Sequence, residues 1–141
     1  MENNTKNNVL IVVPARLNSS RLPNKVLADI GGKPMLQRVL EQCKKALDSS
    51  EIVLCTDSKK LSLIAKKLNI KSLLTPASCD SGTDRIASVL DKLLEILWSA
   101  SQKNNFKNIN DFKKRTLIIN VQGDQPFIDP EVIKKMYTFF L

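Results

Sequence analysis

Apolar and polar positions fall into blocks along the chain, and the period of the pattern switches from block to block. Residues 9–13 form a continuous β-branched and aliphatic run closed by Pro14, the pattern of a strand buried on both faces. A loop follows to Pro34, constrained by Pro23 and carrying a turn signal at Gly31-Gly32. Beyond it, Leu36, Val39, Leu40, Cys43 and Leu47 recur with the spacing of one helix face. Residues 52–55 predict a second buried strand ending at Thr56-Asp57. Leu61, Ile64, Ala65 and Leu68 make another helical stripe, and 70–74 predict a third strand. A long helix is predicted over 81–98, with Ile86, Val89, Leu90, Leu93 and Leu97 on one face. Residues 99–115 are polar and rich in Asn and Lys, and read as a long connection with room for a short helical piece. Residues 117–121 predict the fourth strand. Asp129-Pro130-Glu131 then opens a helix expected to reach Leu141, with Asp as cap, Pro at the first helical position and an acid in the first turn.

The resulting β-α-β-α-β-α-β-α order predicts an α/β fold: a doubly wound, mainly parallel, Rossmann-like sheet covered on both faces. There is no internal repeat. One domain, 9–141, follows a polar tail at 1–8 that is expected to be disordered.

Composition narrows the chemistry. Hydrophobic residues make up 43% of 141 residues, enough for one core. Lys and Arg outnumber Asp and Glu by 22 to 14, and the resulting +8 favours anionic partners without choosing among them. There is no histidine, which excludes His-dependent nucleophilic triads and the commonest metal ligand. Cys43, Cys55 and Cys79 are odd in number and lack C-x-x-C spacing, and read as reduced packing residues in a reducing compartment. The first eight residues carry no apolar segment, and no run approaches the roughly 18 residues that span a bilayer. The expectation is a cytoplasmic protein with no membrane partner. Few aromatics and no stacking platform argue against nucleic acid.

Three segments carry candidate chemistry. The loop after the first strand, PARLNSSRLPNK, brings Arg16, Arg21 and Lys25 within ten residues, interleaved with hydroxyls and backbone N–H groups. It reads either as a solvated basic loop or as the lining a triphosphate requires. Gln122-Gly123-Asp124 follows the fourth strand. In the usual 3-2-1-4 order the first and fourth strands are neighbours across the switch point, so the basic loop and Asp124 are expected to face each other over one crevice. Asp124 is either part of a turn or a Mg²⁺ ligand acting with substrate phosphates. Ser81-Gly82-Thr83-Asp84-Arg85 fits a capping box at a helix start, the reading its spacing favours, and the same N-terminus can also hold a ligand group. Gly31-Gly32-Lys33-Pro34 lacks both phosphate-loop spacings and reads as a turn before a helix.

In order and spacing, PARLNSSRLPNK, SGTDR and NVQGDQP resemble the CMP-Kdo synthetase (3-deoxy-manno-octulosonate cytidylyltransferase) family, as do DIGGKPM and Cys55-Thr56-Asp57. The similarity runs from about residue 9 to 136. It implies a nucleotide-diphospho-sugar transferase type of fold and, with Mg²⁺, transfer of CMP from CTP to the acidic sugar Kdo for lipopolysaccharide synthesis. By matching positions, Arg16, Ser19 and Lys25 would hold the triphosphate, with Arg21 in the same loop and Ala15 also counted as nucleotide-binding; Ser81, Gly82, Thr83 and Arg85 would lie near the cytidine, Gln122 would contact the nucleotide, and Asp124 would ligate the metal. Arg16, Lys25 and Asp124 are the residues assigned to catalysis. The pattern departs from the family at Gln125, where Glu is usual, and at Cys79, where His commonly precedes S-G-T. The resemblance also implies that this chain is the N-terminal half of a homodimeric enzyme. Most sugar contacts and a second metal-binding Asp would belong to the other half. The alternatives are another sugar nucleotidyltransferase, such as one for sialic acid, and a non-catalytic CTP-binding fragment.

Overall fold

A computed structural model describes residues 7–17, 24–76, 78–79, 81–100 and 106–140. Its centre is a parallel sheet of four strands: β1 (Asn8–Ala15), β4 (Ile52–Thr56), β5 (Lys71–Leu74) and β6 (Thr116–Asn120), in the order β5-β4-β1-β6. All three neighbouring pairs are parallel, with Ile11 opposite Ile52 on one side of β1 and Ile119 on the other. In chain order of these strands this is 3-2-1-4, so the expected topology holds. A two-stranded antiparallel ribbon, β2 (Asp29–Ile30) and β3 (Lys33–Pro34), sits apart from it. Gly31 and Gly32 close that ribbon with φ of +61° and +94°, a left-handed pair that glycine adopts without strain.

β1 is buried along its whole length because helices cover both faces of the sheet. On one face Val9, Ile11 and Val13 meet α1 (Met35–Ala46), α2 (Lys59–Lys67) and α6 (Pro130–Thr138) through Leu36, Leu40, Leu61 and Ile133. On the other, Leu10, Val12, Val53 and Cys55 meet α3 (Gly82–Ala87), α4 (Leu90–Ala100) and α5 (Ile109–Lys114) through Ile86, Leu93 and Phe112. The period-2 alternation of β1 thus feeds two cores of one three-layer domain. Among the described residues no helix is long and apolar enough to cross a membrane.

Three expectations change, and a fourth is extended. The single helix over 81–98 is two helices with a break at Ser88-Val89. Ser88 Oγ donates to the Arg85 carbonyl at 2.7 Å, and Val89 N turns to the Ile86 carbonyl at 3.1 Å, so the α-type bond from residue 89 to residue 85 is replaced. The connection over 99–115 holds the short helical piece expected there as α5, capped by the Asn108 side chain on Asp111 N at 2.9 Å. It also carries core aromatics: Phe112 is fully buried, 5.2 Å from the Phe106 ring and 5.5 Å from Trp98. The last helix stops at Thr138, and Leu141 lies outside the described residues. Asn7 and Asn8, assigned to the tail, are tied to the fold, and Asn8 already belongs to β1. Asn8 N donates to the Arg115 carbonyl at 2.8 Å, and the Asn7 side chain donates to the Phe140 carbonyl at 2.9 Å. Residues 1–6 lie outside the described residues.

Candidate active site

The carboxyl ends of β1 and β6 form the floor of the site. Beyond β6 the chain continues to pair with β1: Val121 N donates to the Val12 carbonyl and Gly123 N to the Pro14 carbonyl, both at 3.1 Å. This zipper carries Gly123 against Ala15. A Cβ added at Gly123 would stand 2.8 Å from the Ala15 Cβ and 3.2 Å from the Pro14 carbonyl oxygen, so only glycine allows the two loops to run so close.

Above this floor lies a cleft of about 180 Å³ lined on one side by Arg16, Lys25 and Val26, and on the other by Cys79, Ser81, Gly82 and Arg85, with Gln122 and Asp124 between them. The basic loop and Asp124 do face each other: Lys25 Nζ donates to Asp124 Oδ2 at 3.0 Å, with both side chains 42% exposed. Lys25 is set by a short 3-10 turn, Lys25–Leu27, whose Val26 is buried beneath it. Arg16 is exposed at the mouth, one residue past β1.

On the opposite wall the Ser81 hydroxyl accepts from Asp84 N at 3.0 Å, so the capping role of Ser81 and its position in the cleft coexist. Gly82 packs under Gln122, whose amide oxygen would lie 2.6 Å from an added Cβ. Gln122 Nε2 donates to Asn120 Oδ1 at 3.0 Å, and Gln122 N donates to Gln125 Oε1 at 3.2 Å. Gln125, the residue noted as departing from Glu, therefore braces the backbone of this loop.

The structure brings Ala15, Arg16, Lys25, Ser81, Gly82, Arg85, Gln122 and Asp124 to one cleft. Thr83 is exposed and is not among the lining residues. Ser19 and Arg21 lie outside the described residues. Arg85 reaches the cleft wall only as a buried side chain, 2% exposed. Cys79 also lines the cleft and is half-exposed, so it is not a packing residue as Cys43 and Cys55 are; all three are free. Burial pushes the Cys43 thiol up to about 12 and the Cys55 thiol to about 12, the latter against the opposing charge of Arg85. The sequence reading missed Val26 and Thr75. Val26 is a single apolar residue inside a polar loop, and Thr75 acquires a role only when β5 lies beside β4.

Among the described residues no group of three or more His, Cys, Asp and Glu side chains gathers to hold a metal. Asp124 stands as a single accessible carboxylate with a cation already beside it. That donor set fits Mg²⁺, which is commonly held by one or two carboxylates together with substrate phosphates, and does not fit an all-protein cage.

An open parallel sheet with a cationic cleft and one accessible carboxylate at its switch point is the ligand crevice of a doubly wound α/β protein. The cytidylyltransferase family model matches residues 10–139, and the chain belongs to that family. It is 45% identical over 128 residues to a 3-deoxy-manno-octulosonate cytidylyltransferase of Francisella tularensis subsp. tularensis (strain FSC 198), covering 91% of this chain and 44% of the relative. Over 132 residues it is 43% identical to the enzyme of the same name from Chloroherpeton thalassium, covering 94% of this chain and 46% of the relative. Among solved structures it superposes on a CMP:2-keto-3-deoxy-manno-octonic acid synthetase complexed with CTP, with a TM-score of 0.63 and 30% identity over 94% of this chain and 46% of that one. A cytidylyltransferase from Leptospira borgpetersenii shares the fold, with a TM-score of 0.65 at 22% identity over 93% of this chain and 48% of that one. The chain spans just under half the length of the curated relatives it matches.

Proposed function

We propose that the chain is the CTP-binding half of a Mg²⁺-dependent cytidylyltransferase that joins CMP to Kdo, giving CMP-Kdo and pyrophosphate for lipopolysaccharide synthesis in the cytoplasm. The observation that carries the reading is the Lys25–Asp124 pair across the cleft between β1 and β6, 3.0 Å long and accessible, in a chain 45% identical to enzymes of that name. The proposed partners are CTP and an acidic sugar, with neither nucleic acid nor membrane, and the proposed assembly of the full-length form is a homodimer.

The reaction is an in-line displacement. A hydroxyl oxygen of the sugar forms a bond to the α-phosphorus and its proton passes to solvent, while the bond from that phosphorus to the bridging oxygen breaks and pyrophosphate leaves with the electron pair. Such transfer depends on positioning and on neutralising charge. Arg16 and Lys25 supply two cations on the phosphate side of the cleft, and Arg16 can bind two phosphate oxygens at once. To meet a phosphate, Lys25 gives up Asp124, which frees that carboxylate for the metal. Bound at Asp124, Mg²⁺ would neutralise triphosphate oxygens. Ser81, Gly82 and Gln122 form the wall that the nucleoside would meet, and Gly82 leaves the room in which the Gln122 amide lies.

Isothermal titration of CTP, UTP, ATP and GTP into the purified chain in Mg²⁺ tests the reading. CTP bound at least about tenfold more tightly than the others supports it, a difference of roughly 1.4 kcal/mol. Equal affinities for all four would make the cleft a general nucleotide site and refute it.

A further inference from the structure

Arg85 is a cation on the cleft wall, yet its guanidinium is turned into the protein. Its Nη1 donates to the Thr75 hydroxyl and to the Pro76 carbonyl, the latter at 3.0 Å. Its Nη2 lies 3.9 Å from Asp57 Oδ2. Asp57 is the first residue after β4 and Thr75 the first after β5, and the two strand ends are joined by Thr75 N donating to the Thr56 carbonyl at 2.8 Å. Asp57 is 19% exposed, and its Oδ1 is buried with no hydrogen-bond partner among the described residues. A carboxylate this enclosed is tolerated because the guanidinium is beside it, and the guanidinium is tolerated for the reciprocal reason.

This cluster holds a helix that cannot hold itself. The helix α3 has six residues, well below the length at which a helix is stable alone. It ends at the Ser88-Val89 break, so α4 does not extend it. Its N-cap Ser81 and its first residue Gly82 line the wall of the cleft. The space between Gly82 and Gln122 is too small for even a methyl group, so the position of α3 decides how closely the two approach.

We infer that Arg85, with Asp57 and Thr75, is a positioning group: a buried strut that fixes α3 against the ends of β4 and β5 and so sets the distance between Gly82 and Gln122. Arg85 acts on the nucleotide through α3 and is not a phosphate ligand. The inference rests on the CTP reading of the cleft for its functional consequence, and on the ligand-free protein for its structural one.

Asp57→Asn and Thr75→Val keep shape while removing the charge and the hydroxyl that Arg85 uses, and Arg85→Lys keeps charge while removing the planar fork. Hydrogen exchange of the ligand-free chain is followed across residues 81–88, with β1 and α1 as references, and CTP is titrated into each variant. The expected result is faster exchange confined to 81–88, by about tenfold, with CTP Kd raised about tenfold in all three variants. Arg85→Lys alone weakening CTP, with the other two variants unchanged in exchange and affinity, would make Arg85 a direct ligand and overturn the inference. Exchange rising equally in every segment would show a general stability role and overturn it too. Wild-type chain that binds no CTP would sink the cytidylyltransferase reading, while the exchange pattern still decides the strut.

Discussion

Replacing Gly82 by alanine separates the cleft from the fold. The new methyl would stand 2.6 Å from Gln122 Oε1, 2.9 Å from its Nε2 and 2.9 Å from the Pro14 Cγ, where real Cβ contacts essentially never fall below 3.0 Å. The Pro14 ring belongs to buried β1 and has little freedom, so the Gln122 side chain is the part that yields. Moving it breaks its hydrogen bond to Asn120, 3.0 Å long, at a cost of about 1 kcal/mol. Against this, alanine in a helix gains up to about 1 kcal/mol over glycine. The two nearly cancel, but the close approach to the Pro14 ring remains and costs about 1 kcal/mol, the low end of overpacking, so Tm measured by calorimetry is expected to fall by about 5 °C. CTP, by contrast, meets a displaced Gln122 and a filled wall, and titration is expected to show Kd raised about tenfold, roughly 1.4 kcal/mol. A folded Gly82→Ala chain that binds CTP with full affinity would refute the assignment of this wall to the nucleotide.

Gly123→Ala is expected to act in the opposite way. Its neighbours are the Ala15 Cβ at 2.8 Å, the Pro14 carbonyl at 3.2 Å and Leu36 at 3.4 Å, none of which can move freely, so about 1–3 kcal/mol of stability is lost and Tm falls by about 4–12 °C in a calorimetric scan. Lys25→Met removes a half-exposed ion pair, which stabilises such a chain by less than about 1 kcal/mol. Tm is therefore expected to hold while CTP Kd rises at least about tenfold, and an unchanged Kd would remove Lys25 from the site. With Cys43 and Cys55 buried and their thiols pushed up to about 12, both stay protonated at pH 8, so a thiol reagent at that pH is expected to modify Cys79 in the native chain and all three cysteines only in denaturant. Saturating CTP is expected to slow the Cys79 reaction, and indifference to CTP would place Cys79 outside the occupied volume.

The order of elements, the 3-2-1-4 sheet and the meeting of Lys25 with Asp124 were legible because each depends on strong local signals. These are continuous apolar runs for buried strands, the 3.6-residue period for α1 and α2, and Asp129-Pro130-Glu131 for the start of α6. The helix break at Ser88-Val89 was not legible, because the apolar stripe from Ile86 to Leu97 continues through it. The interruption is made by one serine hydroxyl taking a backbone carbonyl, which periodicity does not register. Phe106 and Phe112 were hidden for a related reason: two core aromatics in a stretch dominated by Asn and Lys make no period, and their burial depends on α4 and β1 arriving from elsewhere. The inward turn of Arg85 was hidden as well. Its charge suggested a ligand contact, and its partners Asp57 and Thr75 lie 28 and 10 residues away along the chain, brought together only by β4 and β5.

The central claim is that the β1 and β6 loops form one metal-assisted CTP site, and its most direct test is titration of CTP into the 141-residue chain with and without Mg²⁺, repeated with Asp124→Asn. The account expects CTP binding strengthened by Mg²⁺ in the wild type, and binding in the variant that no longer responds to the metal while Tm is retained. Equal CTP binding with and without Mg²⁺ in the wild type, or an undiminished metal response in Asp124→Asn, would contradict it.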